Sequence, residues 1–395
     1  MQADASQQAE AAEGAPQQQG AAGPVPGEQQ EAGAQSKGMP PIPSCYRELP
    51  QVPDAPYSLL HSFTSAHGGR AVNSVRFDPL GRRLASGGSD GKAAIWDPRS
   101  GALLHRLKGH SAGISDVAWS ADSRYVATAS NDKTLRIWDA GTGACLRLLK
   151  DGHTHWVSCC AFSAGGNLLV SGGFDEVLIV WDVRNARPVK IIPGHCDPVT
   201  GAHFSGEPGL HELIASCSFD GLTRVWHTAT GRCQASLTDS GHTALGSVRF
   251  TPNGQFLLTA ALDSRLLLWY PQERKVKRTY RGHVNNHYAC QACFVVHSTD
   301  PKQRFVACGS EDHHVYLWGL SSKEIVGVLR GRPSADAPGA GHCDVVLSVD
   351  ASTAPDLPFI ASCGHQGDGS IQVWAHESWA AGEAEGRGAA AMDTS

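Results

Sequence analysis

The amino-acid sequence predicts an all-β protein, a closed ring of seven four-stranded blades with a disordered tail at each end. Three observations predict this fold: a repeated pair of Asp and Trp, short β-branched runs between turn residues, and ends of distinct composition. A single four-stranded sheet leaves both apolar faces in water, whereas blades packed in a ring bury those faces against their neighbours. The number of repeats therefore sets the number of blades.

The repeat itself is regular along most of the chain. A turn aspartate is followed six positions later by a tryptophan seven times, and successive tryptophans are 42 to 56 residues apart. The pairs are Asp90/Trp96, Asp132/Trp138, Asp175/Trp181, Asp220/Trp226, Asp263/Trp269, Asp312/Trp318 and Asp368/Trp374. A histidine precedes each aspartate by 21 to 29 residues, at His67, His110, His153, His195, His242, His283 and His342. Periods of this length are typical of propeller repeats.

Inside each period the residue pattern is that of β-strands. Runs such as 168–170 and 177–180 are short, apolar or β-branched, and are bounded by Gly, Asp, Asn or Ser, which predicts about four strands per period. The longer spacings place insertions at Gly206–Glu212, Ser298–Lys302 and Gly331–Gly341. We expect these insertions to be rim loops, where partners bind.

The two ends differ in composition from the body. Residues 1–50 are rich in Gln, Ala, Gly and Pro, and residues 377–395 are similar. Such segments bury too little apolar surface to offset their ordering entropy, so we predict that both are disordered. Trp379 either packs against the body or contacts a partner. The predicted propeller occupies residues 57–376.

Composition excludes several classes of function. Lys plus Arg total 33 and Asp plus Glu total 38, for a net charge of −5, so direct binding to a nucleic-acid backbone is not expected. The chain has neither a long apolar run nor a signal-peptide pattern at its start, so no membrane partner is expected. The 12 cysteines are scattered, often in strand-like runs, which indicates a reducing compartment.

The sequence carries no recognisable catalytic or metal-binding motif. It has no nucleophile elbow, phosphate-binding loop, zinc-protease helix or calcium loop. The histidines fall one per blade and cannot converge on one metal ion, and Cys290 and Cys293 form a lone pair without a second pair to complete a zinc site. Cys159 and Cys160 point to opposite faces of one strand. We therefore predict buried core thiols, no enzyme activity, no metal and no cofactor.

Residues 57–376 resemble the WD40 family, through the repeated His, Asp and Trp signals above. In that family the His, a Ser or Thr, the turn Asp and the Trp form a hydrogen-bonded tetrad in each blade, and the N-terminal strand completes the last blade. The resemblance implies that Tyr57–Phe63 closes the ring. It also implies structural roles for His110, Asp132, Trp138, His153, Asp175, Trp181, His195, Asp220, Trp226, Asp263, Trp269, Asp312 and Trp318.

Longer stretches resemble the WD-repeat scaffold subunits of COMPASS/MLL-type histone H3 lysine-4 methyltransferase complexes. They include GHSAGISDVAW (109–119), SGGFDEVLIVWDV (171–183) and FTPNGQFLLTAALDSRLLLW (250–269), and the match is collinear over all seven blades. The resemblance implies a non-catalytic nuclear scaffold, with a cytoplasmic pool as a further option. Its partners would be a SET-domain methyltransferase subunit, a second WD-repeat subunit and the histone H3 tail, with the propeller monomeric within the complex.

In that family a central pocket on one face holds an arginine side chain between two Phe rings. Positions that match the pocket are Ala71, Gly113, Ser115, Phe174 and Tyr288, while Asn131, Thr200, Phe219 and Ala289 replace other residues of the family. Ser158 and Gln291 stand in place of the two clamping Phe residues. A desolvated cation–π contact contributes about 2 kcal/mol, so this pattern predicts weakened arginine binding. Trp156, on the same strand face as Ser158, is a candidate substitute.

On the opposite face, family members have a hydrophobic groove for an acidic and apolar segment of the partner WD-repeat subunit. The matching positions are Asn253, Phe256, Leu268, Phe294 and Val296, with Phe256 in place of a Tyr. Exposed apolar side chains on a rim are typical of a peptide-binding surface. The alternative is that some of these residues only pack the blades together.

Two other functions remain open from the sequence. WDxR boxes at residues 96–99 and 181–184, with Arg99 and Arg184, resemble those of substrate receptors of cullin-4-type ubiquitin ligases, although each Arg can also belong to an ordinary turn. The third option is a divergent scaffold in another nuclear assembly, which uses its rims for other partners.

Overall fold

The computed structural model describes residues 55–64, 66–206, 213–296, 304–330 and 341–379. Within these ranges the chain forms 28 strands, and residues 377–379 form a single helical turn. Outside the described residues lie the predicted tail at residues 1–50, all of the predicted tail at residues 377–395 except residues 377–379, and nearly all of the three predicted loop insertions.

The strands form seven antiparallel sheets of four, numbered here as blades 1 to 7. Blade 1 is β2 (Val72–Phe77), β3 (Leu84–Gly88), β4 (Lys92–Trp96) and β5 (Leu103–Lys108), and blade 2 is β6 (Ile114–Trp119), β7 (Tyr125–Ser130), β8 (Leu135–Asp139) and β9 (Cys145–Leu149). Blade 3 is β10 (Val157–Phe162), β11 (Leu168–Gly173), β12 (Val177–Asp182) and β13 (Arg187–Pro193), and blade 4 is β14 (Val199–Phe204), β15 (Leu213–Ser218), β16 (Leu222–His227) and β17 (Cys233–Thr238).

The remaining blades follow the same order. Blade 5 is β18 (Leu245–Phe250), β19 (Leu257–Ala261), β20 (Arg265–Tyr270) and β21 (Lys275–Arg281), and blade 6 is β22 (Ala292–Val296), β23 (Arg304–Gly309), β24 (Val315–Gly319) and β25 (Ile325–Leu329). Blade 7 is β26 (Val346–Ala351), β27 (Phe359–Gly364) and β28 (Ile371–His376), completed by β1 (Tyr57–Phe63).

The first strand closes the ring. β1 pairs antiparallel with β28, from Tyr57 opposite His376 to Phe63 opposite Ile371. The first and last strands of the propeller therefore lie side by side in one sheet, which removes the free edge that an unclosed ring would expose. The predicted seven-bladed propeller is confirmed.

The core lies between the blades. Seven clusters of buried apolar residues occupy the seven blade interfaces, and the second and third strands of each blade are almost wholly buried. Cys159 belongs to the interface with blade 4 and Cys160 to the interface with blade 2, as expected for neighbouring residues of one strand. Cys290 and Cys293 are also fully buried, and their thiols are core groups.

The innermost strands share one irregularity near their first residue. Their pairing with the second strand shifts there by one residue in six blades, which leaves a single extra residue as a β-bulge. The extra residues are Asn73, Ser115, Ser158, Thr200, Gly246 and Leu347, whereas the pairing of β22 with β23 in blade 6 shows no such shift. A bulge redirects a side chain out of the regular ladder. These positions therefore determine which side chains face the end of the central channel where the inner strands begin, called here the channel mouth.

Candidate functional site

The hydrogen-bonded tetrad is present in blades 1, 2, 3, 4 and 7. In blade 3, His153 Nδ1 lies 2.9 Å from Asp175, His153 Nε2 lies 2.7 Å from Ser171 Oγ, and Trp181 Nε1 donates to the same Oγ at 2.7 Å. An indole nitrogen only donates and a carboxylate only accepts, so the chain of donors runs from Trp through Ser to His, and from His Nδ1 to Asp.

The tetrad also keeps its carboxylate ionised. Burial acts to raise the pKa of Asp175, but the hydrogen bond and charge of His153 outweigh it, and the pKa lies below its usual range. The same causes lower the pKa of Asp90, Asp132, Asp220 and Asp368. Each of these aspartates is bound to groups of its own blade, which supports the predicted structural role.

Blade 5 departs from the expected tetrad. Trp269 still donates to Thr259 at 3.0 Å, but His242 is exposed and contacts Thr238. Arg265 binds Asp263 instead, with Nε at 2.6 Å, and its Nη1 lies 2.5 Å from Asp239. A guanidinium has five donors in a fixed fork, so it engages two carboxylates where an imidazole engages one.

Blade 6 departs in another way. Cys308 stands where the other blades have Ser or Thr, so His283 loses its hydroxyl partner, and neither ring nitrogen has a partner among the described residues. Asp312 accepts from Tyr316 Oη at 2.6 Å, and Trp318 donates to the carbonyl of Arg281 at 2.9 Å. Burial lowers the pKa of His283 to about 4. Asp312 is therefore bound within blade 6, and Trp318 is bound to the last strand of blade 5, both without the histidine.

Three of the predicted central-pocket residues, Ser115, Ser158 and Thr200, lie at the bulges around the channel mouth, and their hydroxyl groups are already hydrogen-bonded. Ser115 Oγ donates to Asn131 Oδ1 at 2.8 Å, and Thr200 Oγ1 donates to the carbonyl of Leu245 in the next blade at 2.7 Å. Ser158 Oγ is bound to the carbonyls of Gly172 and Val199, and Gln291 Oε1 accepts from Ser348.

Backbone groups around the channel mouth are also hydrogen-bonded. The carbonyl of Ala71 accepts from Ser89 N, the carbonyl of Gly113 accepts from Asn131 N, and Phe219 N donates to a carbonyl of its own blade. Asn73 lies in the same ring, with Nδ2 2.7 Å from the carbonyl of Ile114. Sequence reasoning missed Asn73, although its place in the repeat matches that of Ser115 and Ser158.

The exposed aromatic rings near the mouth form two separate groups. Trp156 is 45% exposed and meets Phe174, 37% exposed, edge to face with ring centroids 5.5 Å apart. Tyr288 contacts His365, with centroids 5.0 Å apart. Trp156 therefore contacts another ring of its own blade, an arrangement that differs from two parallel rings spaced to hold a guanidinium. The arrangement presents an aromatic platform on blade 3.

On the other side of blades 5 and 6, all five predicted groove residues line one cavity of about 420 Å³. Asn253 is exposed, Phe256 and Val296 are half-buried, and Leu268 and Phe294 are only 2% and 9% exposed. Leu268 and Phe294 therefore pack the interface between the two blades and also form the groove floor.

The groove carries positive charge at its edge. Arg278, Arg304, Phe305 and Leu320 also line it. Arg304 is exposed and Arg278 half-buried, and neither is ion-paired with a carboxylate of the described residues. An apolar floor beside two guanidiniums suits a segment that carries both apolar and acidic side chains. Sequence reasoning missed both arginines, because they lie on strands other than those of the matched positions.

The two WDxR boxes form surface turns. The carboxylate of Asp97 accepts the backbone N–H of Arg99 at 2.9 Å, and that of Asp182 accepts the N–H of Arg184 at 2.9 Å. Both arginine side chains are exposed. Local capping of this kind is what Asp does in turns, so it explains the box without any ligand.

A ring of buried charges inside the channel was not predicted. Arg249 Nη1 lies 2.6 Å from Asp350 Oδ1, which links blade 5 to blade 7, and Asp350 Oδ2 accepts the N–H of Phe77 from blade 1 at 2.8 Å. Asp116 accepts from Ser74 Oγ at 2.8 Å and from Cys160 N at 3.1 Å. These carboxylates connect inner strands of different blades.

Two searches of the described residues gave negative results. No cluster of three or more His, Cys, Asp or Glu side chains there is arranged to hold a metal ion. Among the same residues, no helix has the length and apolar character needed to span a bilayer.

The ring of blades, the tetrads and the rim grooves define a WD-repeat β-propeller of the scaffold class. Residues 64–375 match the family described as "WDR5 beta-propeller domain", and because this is most of the chain, the protein belongs to that family. The family consists generally of non-catalytic scaffolds for protein–protein interaction.

Individual relatives are more distant. The chain is 27% identical to nuclear distribution protein nudF of Aspergillus niger, over 69% of this chain and 55% of that protein. It is 26% identical to a WD repeat-containing protein 26 homolog of Arabidopsis thaliana, over 82% and 51%. It is 28% identical to COMPASS component SWD3 of Saccharomyces cerevisiae, over 56% and 72%. The chain spans about half the length of the first two relatives. The three identities are too similar to indicate which relative's function this chain shares.

Proposed function

We propose that this propeller is a non-catalytic nuclear scaffold of a COMPASS-like histone H3 lysine-4 methyltransferase complex. In this proposal the groove of blades 5 and 6 holds an acidic and apolar segment of a partner WD-repeat subunit, and the opposite face contacts the SET-domain subunit. The observation that carries it is the convergence of Asn253, Phe256, Leu268, Phe294 and Val296 in one groove edged by Arg278 and Arg304. The similarity to SWD3, described as a COMPASS component, supports the choice of complex.

Charge supports the assignment of the occupant. A segment that contributes Asp or Glu gains charge-assisted hydrogen bonds from the two guanidiniums, and its apolar side chains cover the floor made by Leu268 and Phe294. The histone H3 tail is a weaker candidate ligand, because Ser158 and Gln291 replace the aromatic clamp of the central pocket.

The test is affinity purification of the tagged full-length protein from its native cells, with quantitative mass spectrometry of the bound proteins. Arg304→Glu and Arg278→Glu should each reduce recovery of the partner WD-repeat subunit by about tenfold or more, since each replaces attraction by repulsion. Leu268 and Phe294 are unsuitable test positions, because a buried charge there would unfold the blade interface.

The matched control is Lys275→Glu, which reverses an exposed charge on the same strand as Arg278 but outside the groove. It should leave recovery unchanged. Recovery of a cullin and its adaptor instead of a methyltransferase would contradict the proposal and assign the protein to the ligase receptors. Equal losses from Lys275→Glu and the groove variants would contradict the assignment of the groove.

A further inference from the structure

The central channel contains a cavity that the proposed scaffold function does not use. Its volume is about 260 Å³, and the inner strands of all seven blades contribute to its lining. In the six blades that have the bulge, the third residue after it is Arg76, Ala118, Ala161, His203, Arg249 or Asp350, and all six line the cavity. At this position blades 2 and 3 contribute only the methyl group of an alanine, whereas blades 1, 4 and 5 contribute an arginine or a histidine. The small residues leave room beside the basic ones.

The acidic side chains that line the cavity are less exposed than its arginines. The side chains of Asp78, Asp116 and Asp350 are 0%, 6% and 3% exposed. Asp116 and Asp350 accept hydrogen bonds from the inner strands of other blades, and Asp78 Oδ2, which has no hydrogen-bond partner among the described residues, lies 3.8 Å from Arg83 Nε. The side chains of Arg76 and Arg249 are 20% and 27% exposed. Among the charged groups of the lining, the two guanidiniums are therefore more exposed to the open space than these carboxylates.

Most donors of these arginines have no close partner among the described residues. Arg249 makes one short hydrogen bond there, to Asp350. Arg76 makes only long contacts, at 3.4 Å to Val75 O and 3.5 Å to Ser348 Oγ, and lies 3.8 Å from Asp116. A guanidinium has five N–H donors, so several donors of each remain for a ligand or for water.

His203 places a third nitrogen-bearing side chain in the same space. Its Nδ1 has no hydrogen-bond partner within the described part of the chain. Arg76, His203 and Arg249 all line the same cavity, and burial together with the charges of Arg249 and Arg76 lowers the pKa of His203 to about 3.

We propose that this cavity binds a small, multiply charged oxyanion, with phosphate or carboxylate oxygens bridging Arg76, Arg249 and His203. The planar guanidinium fork matches the geometry of both kinds of oxygen. The space equals that of several water molecules, at about 30 Å³ each, and lies below the usual range of drug-sized pockets. It therefore suits an anion no larger than pyrophosphate or a tricarboxylate. The inference does not depend on which complex the scaffold joins.

The test is isothermal titration of the purified full-length protein with pyrophosphate and, separately, with citrate. The unmodified protein should bind at least one of them. Arg76→Gln should raise Kd by about tenfold or more, as expected for one lost hydrogen bond between charged groups. Ala161→Leu should abolish binding, because it fills the cavity without changing any charge. The better-bound anion identifies phosphate or carboxylate as the natural chemistry.

Arg278→Gln is the matched control, because it removes an arginine that lines the groove and not the channel. It should leave Kd unchanged. Absence of binding by the unmodified protein to either anion would overturn the proposal, and so would an equal loss of affinity in Arg278→Gln. If Ala161→Leu fails to fold, as judged by circular dichroism, Ala118→Leu makes the same steric test from the neighbouring blade.

Discussion

At the scale of single residues, the same structural task is performed by different side chains in different blades. Five blades bind the turn aspartate with a histidine, blade 5 binds it with Arg265, and in blade 6 it accepts from Tyr316. The Asp and Trp spacing predicted the positions of these residues correctly. It could not predict the exchange of partners, because a histidine at the right register does not reveal whether a competing guanidinium two residues after the aspartate will displace it.

The first prediction compares two equivalent positions. Ser171→Ala removes the hydroxyl between His153 and Trp181 and leaves two buried polar groups without partners. Each such group costs about 1–3 kcal/mol, so the free energy of unfolding should fall by at least about 2 kcal/mol. Cys308→Ala occupies the same place in blade 6, where no such hydrogen bonds exist, and should cost only about 1 kcal/mol from lost packing. Urea unfolding of both variants measures the difference, and equal losses would show that the tetrad contributes nothing beyond packing.

At the scale of elements, the bulge of the inner strand determines what each blade presents to the channel mouth. Three bulge-position side chains, those of Asn73, Ser158 and Thr200, bind to the first residue of the next inner strand, and Gln291 binds to Ser348 in the next blade. The resemblance to known scaffolds grouped Ser115, Ser158 and Thr200 around one pocket, and all three lie at the bulge of an inner strand. It could not supply Asn73 or the hydrogen bonds, because these depend on the neighbouring blade and not on the strand itself.

The second prediction restores an aromatic clamp at these positions. Ser158→Phe with Gln291→Phe should tighten binding of an arginine-containing peptide, since each cation–π contact contributes about 2 kcal/mol when desolvated. This corresponds to roughly thirtyfold for each ring. Fluorescence polarisation with a labelled arginine peptide, and the same peptide with lysine in its place, measures the gain. An unchanged affinity in the double variant would mean that the rings do not face each other across the mouth.

At the scale of the whole molecule, stability depends on contacts that return to the beginning of the ring. β1 pairs with β28, Phe63 stacks on Trp96 with ring centroids 4.8 Å apart, and Trp379 meets Phe359 at 4.9 Å. Inside the channel, Asp350 joins blade 7 to blades 1 and 5. Closure of the ring could be predicted from the sequence. The seventh repeat has only three strands after residue 341, so the fourth strand of its blade must come from another part of the chain. The contacts of the charged residues in the channel could not be predicted, since the residues that contact each other lie up to 273 positions apart in the sequence.

The last prediction tests this closure by truncation. Removal of residues 1–63 deletes β1, exposes the edge of β28 and leaves Trp96 without the Phe63 ring. Tyr57 and Phe63 together contribute about 3–6 kcal/mol of apolar burial, so Tm should fall on the order of 10 °C, with aggregation through the open edge. Removal of residues 1–50 keeps β1 and should leave Tm nearly unchanged. If the shorter protein is insoluble, Phe63→Ala in the full chain tests the same contact. A truncated protein that melts at the same temperature as the full chain would show that the ring is stable without its closing strand.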